Sequence, residues 1–371
     1  MAGLYVHIPF CKSRCIYCDF YSTVGRDEKM GQYVEAVLAE ARLRCHELCS
    51  PVSTIYFGGG TPSILSSAQF SNLVAGLQQT FDFSQVEEFT VEVNPDDVTP
   101  EKIALMRRWG VNRISMGIQS FDDGELRMLN RRHTARQAID ALAAIRAAGI
   151  GNISIDLIYG IPGQTLARWL QNVEQAIGLD VQHISAYSLM YEHGTRLWFM
   201  LEQAKIKEVD EETSVAMYQA LAQRLKAAHF EHYEVSNFAQ EGYFSRHNSS
   251  YWNLVPYLGL GAGAHSYNGL TRRSNPANLK KYLKQIAAGP CAFEEERVAN
   301  WERYDEYVML RMRTAQGLSI HELTERFEEK FVHHFLKNAE QEQLLQNDGT
   351  RFFIPEQHVM LTDAITRNLM W

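Results

Sequence analysis

Six short, apolar, β-rich runs recur through the first 190 residues: Leu4–Ile8, Thr54–Phe57, Phe89–Val93, Arg113–Ile118, Ile153–Ile158 and His183–Leu189. Helix-like stretches near Met30–Leu48, Ser67–Thr80, Pro100–Trp109, Thr134–Ala148 and Thr165–Ile177 separate them. Strands that alternate with helices at this spacing predict repeated βα units and a parallel sheet. Runs this apolar predict strands buried on both faces beneath helices. Pattern alone does not separate a six-unit partial barrel from an open, doubly wound sheet.

The rhythm changes after Tyr191. A charged helical stretch, Leu201 to Ala228, leads to a strand-like run at His232–Val235 and then to the aromatic, Gly-rich sequence SRHNSSYWNLVPYLGLGAGAHSYNG. From Trp301 helices dominate, and Asn347-Asp348-Gly349 reads as a turn between two short strands. The expected division is a barrel over residues 1–190, an extension over 191–300 and a mostly helical, winged-helix-like domain over 301–371. That last segment carries 8 Lys and Arg against 12 Asp and Glu, so a packing role suits it better than reading DNA.

The whole chain has a net charge of −8, which excludes a general nucleic-acid binder and a polybasic membrane anchor. The apolar run Leu4–Ile8 is too brief for a signal-peptide core, and no stretch approaches a membrane span of roughly 20 apolar residues. A cytoplasmic location is expected. There, six cysteines read as ligands or free core thiols and not as disulfides.

Three of the six stand in HIPFCKSRCIYCDFYS, directly after the first strand. Cys11, Cys15 and Cys18 are spaced C-x3-C-x2-C. Thiolates this close can face one side of an iron–sulfur cubane, and three of them leave one iron for a non-protein ligand. Zinc would need a fourth ligand, with His7, or Cys45 and Cys49 on an amphipathic helix, as the candidates. Cys291 reads as a lone free thiol.

A parallel βα barrel gathers its chemistry at the carboxyl ends of its strands. Strand one offers Tyr5, and strand two runs into Gly58-Gly59-Gly60-Thr61-Pro62, where bare backbone admits close approach of a ligand. Strand three carries Glu92 and Asn94, and strand four ends at Gln119-Ser120 with Arg131 beyond it. Asp156 stands inside ISIDLIYG, where an acid needs a partner; a salt bridge with Arg131 is the structural alternative to a binding role.

CKSRCIYC after a first barrel strand resembles the signature of the radical S-adenosylmethionine (radical SAM) superfamily. The resemblance implies a [4Fe–4S] cluster whose open iron takes the methionyl end of S-adenosylmethionine, an electron donor for the cluster, and cleavage of the sulfonium to a 5′-deoxyadenosyl radical. YVHIPFCKSRCIYC, FGGGTPS, EVNP, MGIQSF, LNRRH and DLIYGIPGQT are similar to blocks of a narrower branch, the oxygen-independent coproporphyrinogen oxidases. By that likeness Tyr5, Gly59, Gly60, Thr61, Glu92, Gln119, Arg131 and Asp156 line the S-adenosylmethionine site.

Within the branch a decarboxylating oxidase and a heme chaperone compete. Phe20 stands where the oxidases have a further cysteine, only ten residues precede Cys11, and His247 to Trp252 match the HNxxYW signature of the chaperones. The chaperone resemblance implies heme as ligand and apo-hemoproteins as partners, including respiratory ones at a membrane surface. His247 suits an axial heme ligand on an accessible rim, with Tyr251 and Trp252 to pack on a porphyrin. The Gly259–Gly263 run and His265 lie close after it and either shape the same pocket or form a tight turn.

Overall fold

The computed structural model describes residues 1–289 and 294–371, so Cys291 lies outside the described residues. Each apolar run becomes a strand: β1 Ala2–Ile8, β2 Val52–Gly59, β3 Glu88–Val93, β4 Arg113–Gln119, β5 Asn152–Tyr159 and β6 His183–Ser188. The connecting helices are α1 Met30–Arg44, α2 Ser67–Thr80, α3 Pro100–Arg108, α4 Ala135–Ala147 and α5 Leu166–Gly178. Four of them start where the sequence caps them. The side chains of Ser66, Thr99, Thr134 and Thr165 accept backbone N–H groups of the first turn, Gln69 and Gln137 complete capping boxes, and Pro100 opens α3.

β1 to β6 pair in parallel and in sequence order. A doubly wound sheet reverses its order at a switch point. Here the order never reverses, so right-handed crossovers put every helix on one face and curl the sheet around the other. The fold is a partial (β/α)6 barrel.

A second set of strands extends it: β7 Glu231–Glu234, β8 Asn237–Ala239, β9 Tyr257–Leu260, β10 His265–Tyr267, β11 Thr271–Ser274 and β12 Glu294–Arg297. The full order is β12-β11-β10-β9-β1-β2-β3-β4-β5-β6-β8-β7, with β9 parallel to β1 and the outer pairs antiparallel. Helices α6 Glu211–Ala227 and α7 Arg246–Trp252 belong to this part. The expected stretch from Leu201 is divided, since a first helix ends at Glu202 and Asp210 caps α6.

The helix-facing side of the sheet is the core. Val6, Ile55, Phe57, Val91, Ile114, Ile155 and Ile184 are fully buried with Leu73, Ile103, Leu142 and Val173 from the helices. Each such side chain contributes roughly 1.5–3 kcal/mol relative to exposure. The opposite side corrects the expectation of strands apolar on both faces. Thr54, Tyr56, Thr90, Glu92, Ser115, Ser154, Asp156 and Ser185 alternate with the apolar residues and line the barrel interior.

α1 ends at Arg44, which turns to Glu40 and Glu47. Cys45 therefore begins a 3-10 turn and Cys49 lies exposed beyond it, which corrects the reading of both on one helix.

From Asn300 a second core forms around Tyr304, Tyr307, Val308, Phe331, Phe335 and Leu369. Among the described residues four helices and a small sheet, Leu318–Ser319, Arg351–Phe353 and Gln346–Asn347, surround it, and the turn at Asn347-Asp348-Gly349 joins the last two strands. This mostly helical domain docks on the outer edge of β7. Glu234 bridges to Thr314, Val235 N donates to Arg313 O (3.0 Å) and Ala315 N donates to Tyr233 O (3.0 Å). Among the described residues no helix is long and apolar enough to cross a membrane.

Candidate functional site: a hollow inside the sheet

At mid-strand, one inward residue per strand stays partly exposed where its neighbours are buried: Tyr5, Tyr56, Glu92, Gly117 and Asp156. On β6 Ser185, beside Asp156, is buried, and Tyr187, two residues further toward the carboxyl end, is 43 % exposed. Register sets Tyr5 beside Tyr56, Glu92 beside Ser115 and Gly117 beside Asp156. Together they line a hollow that opens at the carboxyl ends of the strands.

Two acids share it. Tyr56 Oη donates to Glu92 Oε1 (2.7 Å) and Gly59 N donates to Oε2 (3.1 Å). Burial, reinforced by the nearby negative charge of Asp156, outweighs those bonds and pushes Glu92 up to about 7. Burial also raises Asp156, against the Ser185 hydroxyl and the Arg131 charge. Among the described residues no ion pair joins Asp156 to Arg131. Arg131 instead reaches Cys15 Sγ (3.3 Å), Asn94 Oδ1 (2.8 Å) and Gly117 O, and its buried Nε has no partner. A free guanidinium donor in the same site as two acids, close enough for its charge to act on Asp156, suits a ligand that carries both a carboxylate and hydroxyl or amino donors.

Gly117 makes this arrangement possible. A Cβ there would lie 2.7 Å from Gln119 Nε2 and 3.4 Å from Arg131 Nη2. The strand slips register at this point, and Gln119 adopts φ 73°, a left-handed conformation worth about 1–3 kcal/mol of strain in a non-glycine residue.

The GGG turn also makes close approaches within the chain itself. A Cβ on Gly59 (φ 107°) would sit 2.5 Å from the His7 ring, and one on Gly60 would sit 2.8 Å from the Pro9 carbonyl carbon. The bare backbone first admits the protein's own chain, bringing the turn against the segment that leads to Cys11. His7 is fixed there by Tyr5 Oη (3.0 Å) and Tyr21 O (2.9 Å).

The cysteine loop closes over the mouth of the hollow. A two-residue parallel bridge, Phe10–Cys11 with Thr23–Val24, ties its base, and Ile16 is held by backbone bonds with Leu129 and Leu197. Thr61 Oγ1 donates to Cys11 Sγ (3.5 Å), and Asn94 Nδ2 donates to Thr61 Oγ1 (3.3 Å). Cys11, Cys15 and Cys18 are partly buried and in no disulfide. Burial, then the field of Cys15, raises Cys11 and pushes Cys18 up to about 11. Three crowded thiols beside the Arg131 cation form a donor set that fits an iron–sulfur cluster with one iron left open.

HNxxYW lies elsewhere than expected. His247, on α7, is 0 % exposed and sits beneath the hollow, one layer nearer the amino ends of β1 and β2. Its Nδ1 bonds Thr54 Oγ1 (2.9 Å) and its Nε2 bonds Tyr251 Oη (2.8 Å). Its ring stacks on Tyr56 (5.2 Å between centroids, 26° between planes) and on Tyr5 (6.5 Å, 27°). Burial lowers its pKa to about 3. The expected accessible rim is therefore corrected: both nitrogens are occupied inside the barrel. The Gly259–Gly263 run forms the tight turn between β9 and β10, and His265 is exposed at the start of β10.

The structure thus brings Tyr5, Gly59, Glu92, Gln119, Arg131 and Asp156 to one hollow, with Gly60 and Thr61 on the turn that seats the cysteine loop. Sequence reading missed Tyr56 and Gly117, and took His7 only as a candidate zinc ligand. Counting by twos from Tyr5 along β1 reaches His7, whereas Tyr56 and Gly117 are placed by the register of β2 and β4 against their neighbours.

Residues 5–176 match the Radical SAM superfamily, and residues 298–361 match the HemN C-terminal domain. The chain is 32 % identical to the heme chaperone HemW of Bacillus subtilis, over 98 % of both chains. It is 35 % identical to the heme chaperone HemW of Lactococcus lactis, over 95 % of this chain and 93 % of the relative. Among solved structures, the coproporphyrinogen III oxidase HemN of Escherichia coli shares the fold, with a TM-score of 0.86, 22 % identity, and coverage of 100 % of this chain and 90 % of that one.

Proposed function

We propose, because this chain belongs to the HemW family within the radical SAM superfamily, that it binds heme and passes it to apo-hemoproteins, carrying a [4Fe–4S] cluster and S-adenosylmethionine. The observation that carries the reading is likeness to chaperones of that name along essentially the whole of both chains.

Cys11, Cys15 and Cys18 are the proposed cluster ligands. The cluster, when bound, supplies one electron at an open iron, drawn from an external donor. The chain's own residues do the rest. Arg131 Nε offers a hydrogen bond to a carboxylate, Asp156 and Glu92 accept from hydroxyl or amino groups, and Gly59, Gly60 and Thr61 hold the loop and turn together. Tyr5 and Tyr56 floor the hollow and keep water from below it.

His247 is the proposed axial heme ligand, with iron taking the place of the Tyr251 hydroxyl on Nε2. A second reading has its own observation: His265 is exposed and needs no bond broken to reach iron. Apo-hemoproteins, including respiratory ones, are the proposed recipients, and a cytoplasmic site of action is proposed with them.

Anaerobically reconstituted chain should bind heme, transfer it to an apo-globin, and form no vinyl groups on coproporphyrinogen. Phe20, 66 % exposed on the cluster loop, occupies the position of the oxidases' further cysteine. Turnover of coproporphyrinogen above a cluster-free control would restore the oxidase reading. A Soret band unchanged in His247→Ala but shifted in His265→Ala would move the ligand to β10.

A further inference from the structure

The environment of His247 is more elaborate than a ligand waiting for iron requires. The Glu88 carboxylate receives both Arg246 N and His247 N (2.9 Å each), anchoring the first turn of α7 to β3. Gly3 leaves room for the ring, since a Cβ there would lie 3.2 Å from His247 Cε1. With Thr54 and Tyr251 on its nitrogens, the imidazole has one position, and its upper face carries Tyr56.

Tyr56 leads in one direction from there. Its ring rests on the imidazole, and its hydroxyl donates upward to Glu92 Oε1 (2.7 Å). The other oxygen of Glu92 is held by Gly59 N (3.1 Å). Glu92 has no cation to orient it among the described ion pairs. The direction of its carboxylate is therefore set by one backbone N–H and by the height and tilt of the Tyr56 ring, which His247 supports. The two neutral groups on the imidazole let a flat, uncharged surface back the tyrosine without adding a charge beneath two acids.

We infer that His247 is a positioning residue for the S-adenosylmethionine pocket, holding Glu92 in place through Tyr56. The inference rests on the proposal that Glu92 contacts S-adenosylmethionine, and it gives the HNxxYW histidine a task that does not involve heme.

The test is S-adenosylmethionine affinity, measured by equilibrium dialysis on the full-length reconstituted chain with iron content checked for every variant. His247→Gln should weaken binding about tenfold, the scale of one hydrogen bond to a charged group. Tyr56→Phe, which removes only the hydroxyl link to Glu92, should weaken it by a similar factor. The double variant should bind no worse than Tyr56→Phe alone, because the link through which His247 acts is already cut. Loss of thermal stability from His247→Gln should appear in both backgrounds, so a purely structural role predicts affinity losses that multiply.

Multiplying losses, or His247→Gln binding as tightly as the parent, would overturn the inference. If His247→Gln does not fold, Tyr251→Phe carries the same test by removing only the bond at Nε2. It should cost a few-fold in affinity in the parent and nothing in Tyr56→Phe, and an equal loss in both overturns the inference. A parent chain with a full cluster and no S-adenosylmethionine binding overturns the cofactor reading together with this one.

Discussion

Replacing Glu92 by Gln keeps the side chain's shape and removes its charge. The folded-state pKa is about 7 against 4.5 for an ordinary glutamate, so the folded chain holds this proton more tightly than the unfolded one. For a raised acid the stabilising contribution is fully present below 4.5 and is lost as pH rises through 7. Ionisation then destabilises the parent by about 0.8 kcal/mol at pH 5 and about 3.4 kcal/mol at pH 8. Gln does not ionise, and Tyr56 can reverse its hydroxyl to accept from the amide. The variant should therefore gain about 2.5 kcal/mol on the parent between the two pH values. Water in the hollow screens Glu92, which makes this an upper bound. Spread over a chain of this length, it corresponds to a melting-temperature difference growing by about 3–4 °C. Thermal melts of both chains at pH 5 and pH 8, without S-adenosylmethionine, measure it. A difference independent of pH, or one that favours the parent at pH 8, refutes a buried, proton-holding Glu92.

Substituting Cys11, Cys15 or Cys18 by Ala should reduce iron from about four per chain to background, with far-ultraviolet circular dichroism unchanged because the strands bury their own core. Gly117→Ala should leave the fold intact but weaken S-adenosylmethionine binding at least several-fold in dialysis, since its methyl displaces the Gln119 amide and crowds Arg131. His247, lowered to about 3 from 6.5, withholds stability as pH falls below 6.5, so His247→Gln should flatten the acid limb of a urea-midpoint profile between pH 6.5 and 4.

The parallel βα order was legible because apolar runs and capped helices carry it locally, as Ser66, Thr99, Thr134 and Thr165 do. Barrel closure was not, since it follows from strand order, which periodicity does not report. Tyr5, Glu92 and Asp156 were legible as polar residues in apolar runs, whereas nothing in the run Thr54–Phe57 marks Tyr56. Gly117 drew no reading from the sequence, and only its distance to Gln119 and Arg131 reveals its purpose. His247 was found as part of a motif, but its depth depends on Glu88 and Thr54, more than 150 residues earlier in the chain. The glycines after β2 were legible as close-approach positions, but not the nearness of His7 and Pro9 to them.

The bridge from Glu234 to Thr314 has a consequence for how the chain stays dispersed. β7 ends the sheet, and its outer backbone groups would template a strand from any neighbouring molecule. Tyr233 O and Val235 N instead bond Ala315 and Arg313, so the C-terminal domain acts as a stopper on that edge. Removing the residues after Asn300 would uncap the edge together with the apolar side chains of Phe230 and Val235. The shortened barrel should then grow into strand-paired aggregates, detectable by light scattering and thioflavin fluorescence, while the full chain does not.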